Sequence, residues 1–304
     1  MPFTTSARAT DAAAAAALLR DHPRYRVLER LPRPFADLPG ELPEGARRIA
    51  ILDVETTGLD SGSHCIIELA LMHVAVAADG TVLGHSRPQS WLEDPGRPLD
   101  PAITALTGLT DADLAGQRLD ERAILGTLAC CDLLVAHNAP FDLAFVDRRF
   151  PSLSDKPWAC SCAEVPWLQL GHACRKLEHL LAGEGAFFEA HRAQGDVWAL
   201  FQLLQRPAVQ PQPQAGAERP PAATYLQLLL ASSDAGAVRL RAHGLPYEAK
   251  DWAKARGYSW HPVRRVWWRD VAMDEYAVEQ AAFADAGHPV PQGTELNAVN
   301  RYRF

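Results

Sequence analysis

Arg48-Ile-Ala-Ile-Leu-Asp53-Val-Glu55-Thr-Thr-Gly58 is the stretch on which the reading of this chain turns. An apolar run that ends in acids is the pattern of a buried strand. Residues i and i+2 of a strand point to one face, so Asp53 and Glu55 can converge on a single cation. Two carboxylates buried together are costly unless a cation neutralises them. Hard divalent ions such as Mg²⁺ take such oxygen ligands. Thr57-Gly58 then lets the chain turn away and brings backbone N–H groups toward a ligand. In isolation a D-x-E pair reads as a capping Asp beside a surface Glu, and only the rest of the chain argues otherwise.

The flanking sequence supplies neighbours for that strand. Residues 66–77 read as a second strand closed by the hairpin signal Asp79-Gly80, and residues 82–92 as a third. Residues 119–128 are helical, 132–136 form another buried strand, and 141–149, 176–181 and 192–205 carry helical periodicity. Strands in a meander, followed by alternating helix and strand, predict an α/β layer on a mixed sheet.

Two further blocks carry acids. His137-Asn138-Ala-Pro-Phe141-Asp142 follows the 132–136 strand at once. Phe141 can anchor the helix start in the core and aim Asp142 at the sheet edge, although an acid there is also favoured by the helix dipole alone. In His191-Arg-Ala-Gln-Gly-Asp196, positions five apart fall roughly 140° apart around a helix. The two cannot share a helix face, so His191 precedes the helix on a loop and Asp196 sits inside it. That suits a mobile imidazole beside a fixed ligand.

Composition sets the frame. The chain has 304 residues, 48% hydrophobic and 22% charged, an ordinary globular balance that suggests about two domains. No apolar run approaches the ~20 residues of a membrane span. The Ala12–Ala17 run lacks the basic lead and Leu-rich core of a signal peptide. Asp11 is a plausible N-cap for a helix over 11–19, and the expected location is the cytoplasm. Six cysteines fit a reducing compartment. Cys130-Cys131 reads as buried thiols. Cys160-x-Cys162 with His172-x-Cys174 departs from zinc spacing, so packing is the favoured reading.

Residues 206–221 hold five prolines among Gln and Ala, a semi-rigid linker. It separates residues 47–205 from a small α+β unit at 222–286, beginning with a helix over 222–231. Residues 1–46 form an Ala- and Pro-rich extension and 287–304 an irregular tail. The net charge of −7 looks wrong for a partner of a polyanion, yet eight Lys/Arg face three acids from Val238 to Asp270, a local excess of +5. Residues 246–257 read as a short helix stopped by Gly257, and the segments after it as a hairpin. Aromatics between cations suit single-stranded nucleic acid, which makes Tyr258, Trp260, Arg264, Arg265 and Trp267 candidate contacts. The stronger alternative is that Tyr258, Trp260 and Trp267 are the core of a unit with little else to bury.

Taken in order, Asp53-Val-Glu-Thr-Thr-Gly58, His137-Asn-Ala-Pro-Phe-Asp142 and His191-Arg-Ala-x-x-Asp196 resemble the DEDDh exonuclease superfamily. Within it they are most similar to the epsilon proofreading subunit of bacterial DNA polymerase III and its stand-alone relatives. Leu106-Thr-Gly-Leu-Thr110, Trp158-Ala-Cys-Ser161 and Arg175-Lys-Leu-Glu-His-Leu180 add lesser likenesses, and the resemblance covers residues 47–205. Gln194 departs from it, where relatives more often carry Leu. The C-terminal unit resembles a K-x-x-A-K-x-x-G-Y-x-W…W module appended to other nucleic-acid enzymes.

The resemblance implies a ribonuclease H-like fold and two divalent metal ions, Mg²⁺ with Mn²⁺ as a substitute. By position, Asp53 would bridge both ions, Glu55 and Asp196 would help hold the first, and Asp142 would complete the site partly through water. His191 would be the general base on the attacking water. Thr56, Thr57, Gly58 and Leu59 match a segment that contacts the terminal nucleotide, with Leu59 wedged against the last bases. Asn138 and Phe141 are further substrate-binding candidates. The implied reaction is 3′→5′ hydrolysis of single-stranded DNA to nucleoside 5′-monophosphates, with a polymerase or repair partner and no membrane. RNA stays open as substrate, since nothing in the motifs tests the 2′-OH. A silent nucleic-acid-binding or docking protein also stays open, although all five polar residues are present.

Overall fold

The computed structural model describes residues 5–37, 41–208 and 222–303. At its centre, β1 (Arg47–Thr56) runs antiparallel to β2 (Ile66–Val76). On its other edge β2 pairs with both β3 (Val82–His85) and β4 (Gln89–Leu92). The opposite flank is parallel: β5 (Leu133–Ala136) lies beside β1 and β6 (Trp158–Cys160) beside β5. The sheet is mixed and flanked by helices, as the periodicities require. The turn after β2 is made at Gly80, whose φ of 81° suits a residue without Cβ.

Strand parity sorts the sheet into two faces. Ile49 and Ile51 of β1 join Ala70, Met72 and Val74 of β2 in one core with Val197, Leu200, Phe201 and Leu204. These last four come from the helix Ala193–Leu204. Ala50, Leu52 and Val54 join the opposite core with Leu128, Leu143, Phe145 and Val146. That core is covered by the helices Glu121–Ala129 and Ala139–Arg149. The same parity carries Asp53, Glu55 and, on β2, Glu68 onto the face of the Ala193–Leu204 helix.

Several expectations are corrected. The third strand, read as continuous over 82–92, is broken between β3 and β4 at Ser86–Pro88. Pro88 has no N–H to continue the ladder, and the backbone N–H of His73 instead donates to the Ser86 hydroxyl at 2.9 Å. The N-terminal helix spans Thr5–Arg20, so Asp11 lies inside it rather than at its cap; the alanines favour helix on both sides. Cys131 is buried as expected, but Cys130 is exposed.

The helix Tyr225–Asp234, read as the start of the C-terminal unit at 222–231, packs Tyr225, Leu226, Leu229 and Leu230 into the core that holds Ile49 and Ile51. The linker residues 209–221 lie outside the described residues. Residues 287–304, read as an irregular tail, contain a strand. The C-terminal sheet runs β8-β9-β7-β10, all antiparallel, from β7 (Ala237–Ala242), β8 (Ser259–His261), β9 (Val266–Ala272) and β10 (Gln292–Leu296). Beyond β10, the Trp158 N–H of β6 donates to Ala298 O at 2.7 Å. Arg301 pairs with Glu164, the Tyr302 hydroxyl donates to Glu164 at 2.7 Å, and Arg303 pairs with Asp147 at 2.8 Å.

Candidate metal centre and active site

Asp53 and Glu55 stand at the C-terminal end of β1, half-buried, on one face. Asp196, in the first turn of the Ala193–Leu204 helix, meets them there. One carboxylate oxygen from each lies within 4.8 Å of the other two. Among the described residues this is the one cluster of acids, histidines or cysteines placed to hold an ion, and Cys160, Cys162, His172 and Cys174 are not gathered into another. Asp142 arrives from the opposite face. It is 2% exposed, and its Oδ1 accepts the backbone N–H of Val54, between the two β1 acids, at 3.1 Å.

The electrostatics fit a cation. Burial, reinforced by Asp142 and Asp196, drives the Asp53 carboxyl well above the usual carboxylate range. Burial does the same for Asp142, against the bond from Val54. Glu55 is pushed up to about 7 by burial and then by Asp196 and Glu68, with Arg192 opposing. Asp196 also rises to about 7 through burial, although backbone N–H groups of Arg192 and His191 hold it down. Four acids that resist ionisation together, with an all-oxygen donor set, suit a hard divalent ion such as Mg²⁺ or Mn²⁺.

Sequence reasoning missed Glu68. It faces Glu55 across the β1–β2 ladder, is fully buried, and accepts from Arg192 Nε at 3.1 Å and from the Ala193 N–H at 3.3 Å. The signal was present: a lone acid in the apolar run Ile66-Ile-Glu-Leu-Ala-Leu71. This pair fastens the start of the Asp196 helix to β2. Asp196 itself accepts the Arg192 N–H at 3.1 Å, which closes the same turn.

His191 precedes the helix, as its spacing from Asp196 requires, in the left-handed region at φ 67°. It is not gathered into the acid cluster. Its Nε2 lies 3.8 Å from Glu178, and both side chains are half-exposed.

The substrate-binding candidates divide. The Thr56 hydroxyl donates to Gly58 O at 2.7 Å, and the Thr57 hydroxyl accepts the Cys65 N–H at 3.1 Å, so both shape the turn after β1. Gly58 lets the His64 ring lie against the backbone: a Cβ there would sit 2.5 Å from it. Leu59 is 86% exposed, an apolar side chain offered to solvent beside the acids. Asn138 is exposed and starts the Ala139–Arg149 helix at φ 83°. Phe141 packs on Phe145 at 5.0 Å, which anchors the helix as expected. His137 is structural, held by Ser161 Oγ at 2.8 Å and Arg175 O at 2.7 Å.

Of the C-terminal candidates, Tyr258 and Trp267 are core, at 3% and 8% exposure, and Tyr258 is thereby removed as a nucleic-acid contact. Trp260, Arg264 and Arg265 are exposed. No described helix is long and apolar enough to cross a membrane.

Known proteins align with parts of this chain. The PolC-type DNA polymerase III of Halalkalibacterium halodurans is 34% identical over 122 residues, 40% of this chain and 8% of that protein. The PolC-type enzyme of Bacillus subtilis is 36% identical over 109 residues, 34% of this chain and 7% of that protein. The chain thus spans less than a tenth of these relatives. Exonuclease X in complex with 5′ overhanging duplex DNA matches at a TM-score of 0.39 with 26% identity, over 50% of this chain and 86% of that one. The zinc-bound E. coli ExoI–ssDNA complex matches at 0.44 with 14% identity, over 84% and 64%. The profile of the RNase_T exonuclease family matches residues 50–204, just over half of the sequence, and the chain belongs to that exonuclease family.

Proposed function

We propose that this chain is a metal-dependent 3′→5′ exonuclease that releases nucleoside 5′-monophosphates from single-stranded DNA. The observation that carries the reading is the convergence of Asp53, Glu55 and Asp196, with Asp142 tied behind them. In this reading Asp53, Glu55, Asp196 and Asp142 hold two divalent ions, Mg²⁺ with Mn²⁺ as substitute. When bound, such ions lower the pKa of the attacking water and offset charge on the leaving 3′-oxygen. The chain's own residues do the rest. His191 takes the proton of the attacking water on its imidazole. Its position toward Glu178, at the rim of the site, requires it to swing inward when substrate binds. Leu59 wedges against the terminal bases, while Thr56, Thr57, Gly58, Asn138 and Phe141 line the path of the last nucleotide. DNA as substrate, and a polymerase or repair assembly as partner, are supported by the PolC-type relatives.

The test is a time course on 5′-labelled single-stranded DNA and RNA with Mg²⁺ or Mn²⁺. A ladder shortening from the 3′ end of DNA is expected, absent with EDTA and absent in Asp53→Asn. Endonucleolytic fragments, or near wild-type activity in Asp53→Asn, would refute the reading.

A further inference from the structure

The C-terminal unit carries a groove of about 560 Å³ whose lining includes Tyr247, Lys250, Lys254, Trp260, Arg265 and Trp267. Lys250 and Lys254, four apart on the helix Lys250–Ala255, share a helix face. Trp260 and Trp267 oppose each other across the β8–β9 ladder, with ring centroids 5.6 Å apart. Trp267 belongs to the core, whereas Trp260 is 47% and Tyr247 74% exposed. The Lys250 ammonium lies 4.0 Å over the Tyr247 ring and donates to its hydroxyl. Arg265 sits at φ 51°, a conformation that L side chains rarely adopt. A glycine would serve that turn without strain, so the turn does not account for an arginine there.

Among the described residues, three cations and no acid line the groove. One counter-charge, Asp251, is 3.9 Å from Lys254, and both side chains are largely exposed, a weak pair. Aromatic faces open to solvent and set between cations match a chain in which π-surfaces alternate with phosphates. A duplex hides its base faces. An acidic protein segment would satisfy the cations but leave the exposed rings without stacking partners.

We infer that the groove formed by Tyr247, Lys250, Lys254, Trp260 and Arg265 is an accessory binding site for single-stranded nucleic acid, separate from the acidic centre. The inference rests on the nuclease reading only for its choice of ligand. The groove holds the strand by stacking and charge, while the acidic centre acts on the end.

The test is fluorescence anisotropy of a labelled oligothymidylate with the full chain carrying Asp53→Asn, in EDTA, so that binding is read without cleavage. Trp260→Ala is expected to weaken binding about tenfold or more. Lys250→Glu/Lys254→Glu/Arg265→Glu should do the same and lower the salt slope by about 2, at ~0.7 per lost phosphate contact. Lys250→Arg/Lys254→Arg should retain affinity. Unchanged oligothymidylate affinity in both variants, or an equal loss for blunt duplex DNA, would overturn the inference. If the chain binds through the groove but cleaves nothing, the functional proposal fails and the groove stands. If it cleaves while groove variants bind normally, the reverse holds.

Discussion

The backbone N–H of Val54 donates to Oδ1 of Asp142 at 3.1 Å, which ties an acid from one sequence block to the strand between the two acids of another. Asp142→Asn keeps an acceptor for that N–H, whereas Asp142→Ala leaves it buried and unmet, at about 1–3 kcal/mol. Both variants should lose about 10- to 100-fold in nucleotide release, as expected when a metal site loses a supporting carboxylate. In EDTA, Asp142→Asn should melt higher than Asp142→Ala. Equal melting temperatures would show that the bond to Val54 has no energetic weight.

Stability of the metal-free protein should depend on pH in a direction opposite to that of ordinary salt-bridged acids. Glu55 and Asp196 are pushed up to about 7, above the ordinary ~4 of an unfolded carboxyl. Such groups bind more protons folded than unfolded. Their stabilising contribution is present at low pH and lost as pH rises through about 7. Thermal melts in EDTA should therefore fall from about pH 5 to about pH 8. Added Mg²⁺ should raise the melting temperature more at the higher pH, where the ionised acids need a counter-charge. A metal-free melting temperature that climbs across this window would contradict the account.

His191 stands outside the acid cluster, so its removal should separate chemistry from metal binding. His191→Ala is expected to lower kcat by about 10²–10⁴, the usual worth of a general base. The shift in melting temperature caused by Mg²⁺ should be unaltered. Loss of that shift would instead place His191 among the ligands.

Leu59 offers a different separation. With 86% of its surface exposed it contributes little packing. Leu59→Ala should leave the melting temperature unchanged, within the ±0.5 kcal/mol typical of surface positions. It should raise KM for single-stranded substrate. An unchanged KM would remove Leu59 from the substrate path.

Arg301 and Glu164 form a buried pair at the junction of the C-terminal segment and the main domain, with side chains 10% and 4% exposed. Arg301→Ala would strand the Glu164 charge, at about 3–5 kcal/mol. Tyr302→Phe removes only one bond to the same carboxylate, at about 1 kcal/mol. Denaturant unfolding should rank them in that order.

The acidic site was legible because strand parity and helix spacing are local rules. Two acids at i and i+2 must share a face, and residues five apart on a helix must not, so Asp53 facing with Glu55, and His191 standing outside the Asp196 helix, followed from position, whereas the meeting of the separate blocks was implied by the family resemblance. Glu68 was not, because its meaning depends on lying opposite Glu55 in a register that no short-range pattern fixes. The break at Pro88 was readable in principle, as a residue without an N–H. The capture of the Tyr225–Asp234 helix by the main core and the joining of Gln292–Leu296 to the C-terminal sheet are long-range pairings. The sequence on either side of a proline-rich segment reads as two separate units, and the packing of Tyr225–Asp234 across that boundary has no local signal. Tyr258 and Trp267 divide from Trp260 for the same reason: all are aromatic, and burial alone distinguishes core from surface.

The bond from Trp158 to Ala298 has a consequence for how portable the main domain is. β6 is the last strand of the main sheet, and its outer edge is covered by backbone from the C-terminal segment. A fragment cut at the proline-rich segment would present that edge as an open template for other strands. It would also lose the Tyr225–Asp234 helix that seals one core. The acids would be intact in such a fragment, but the scaffold that aims them would be unfinished. Grafting the acidic centre onto another protein would therefore mean carrying the appended unit along with it.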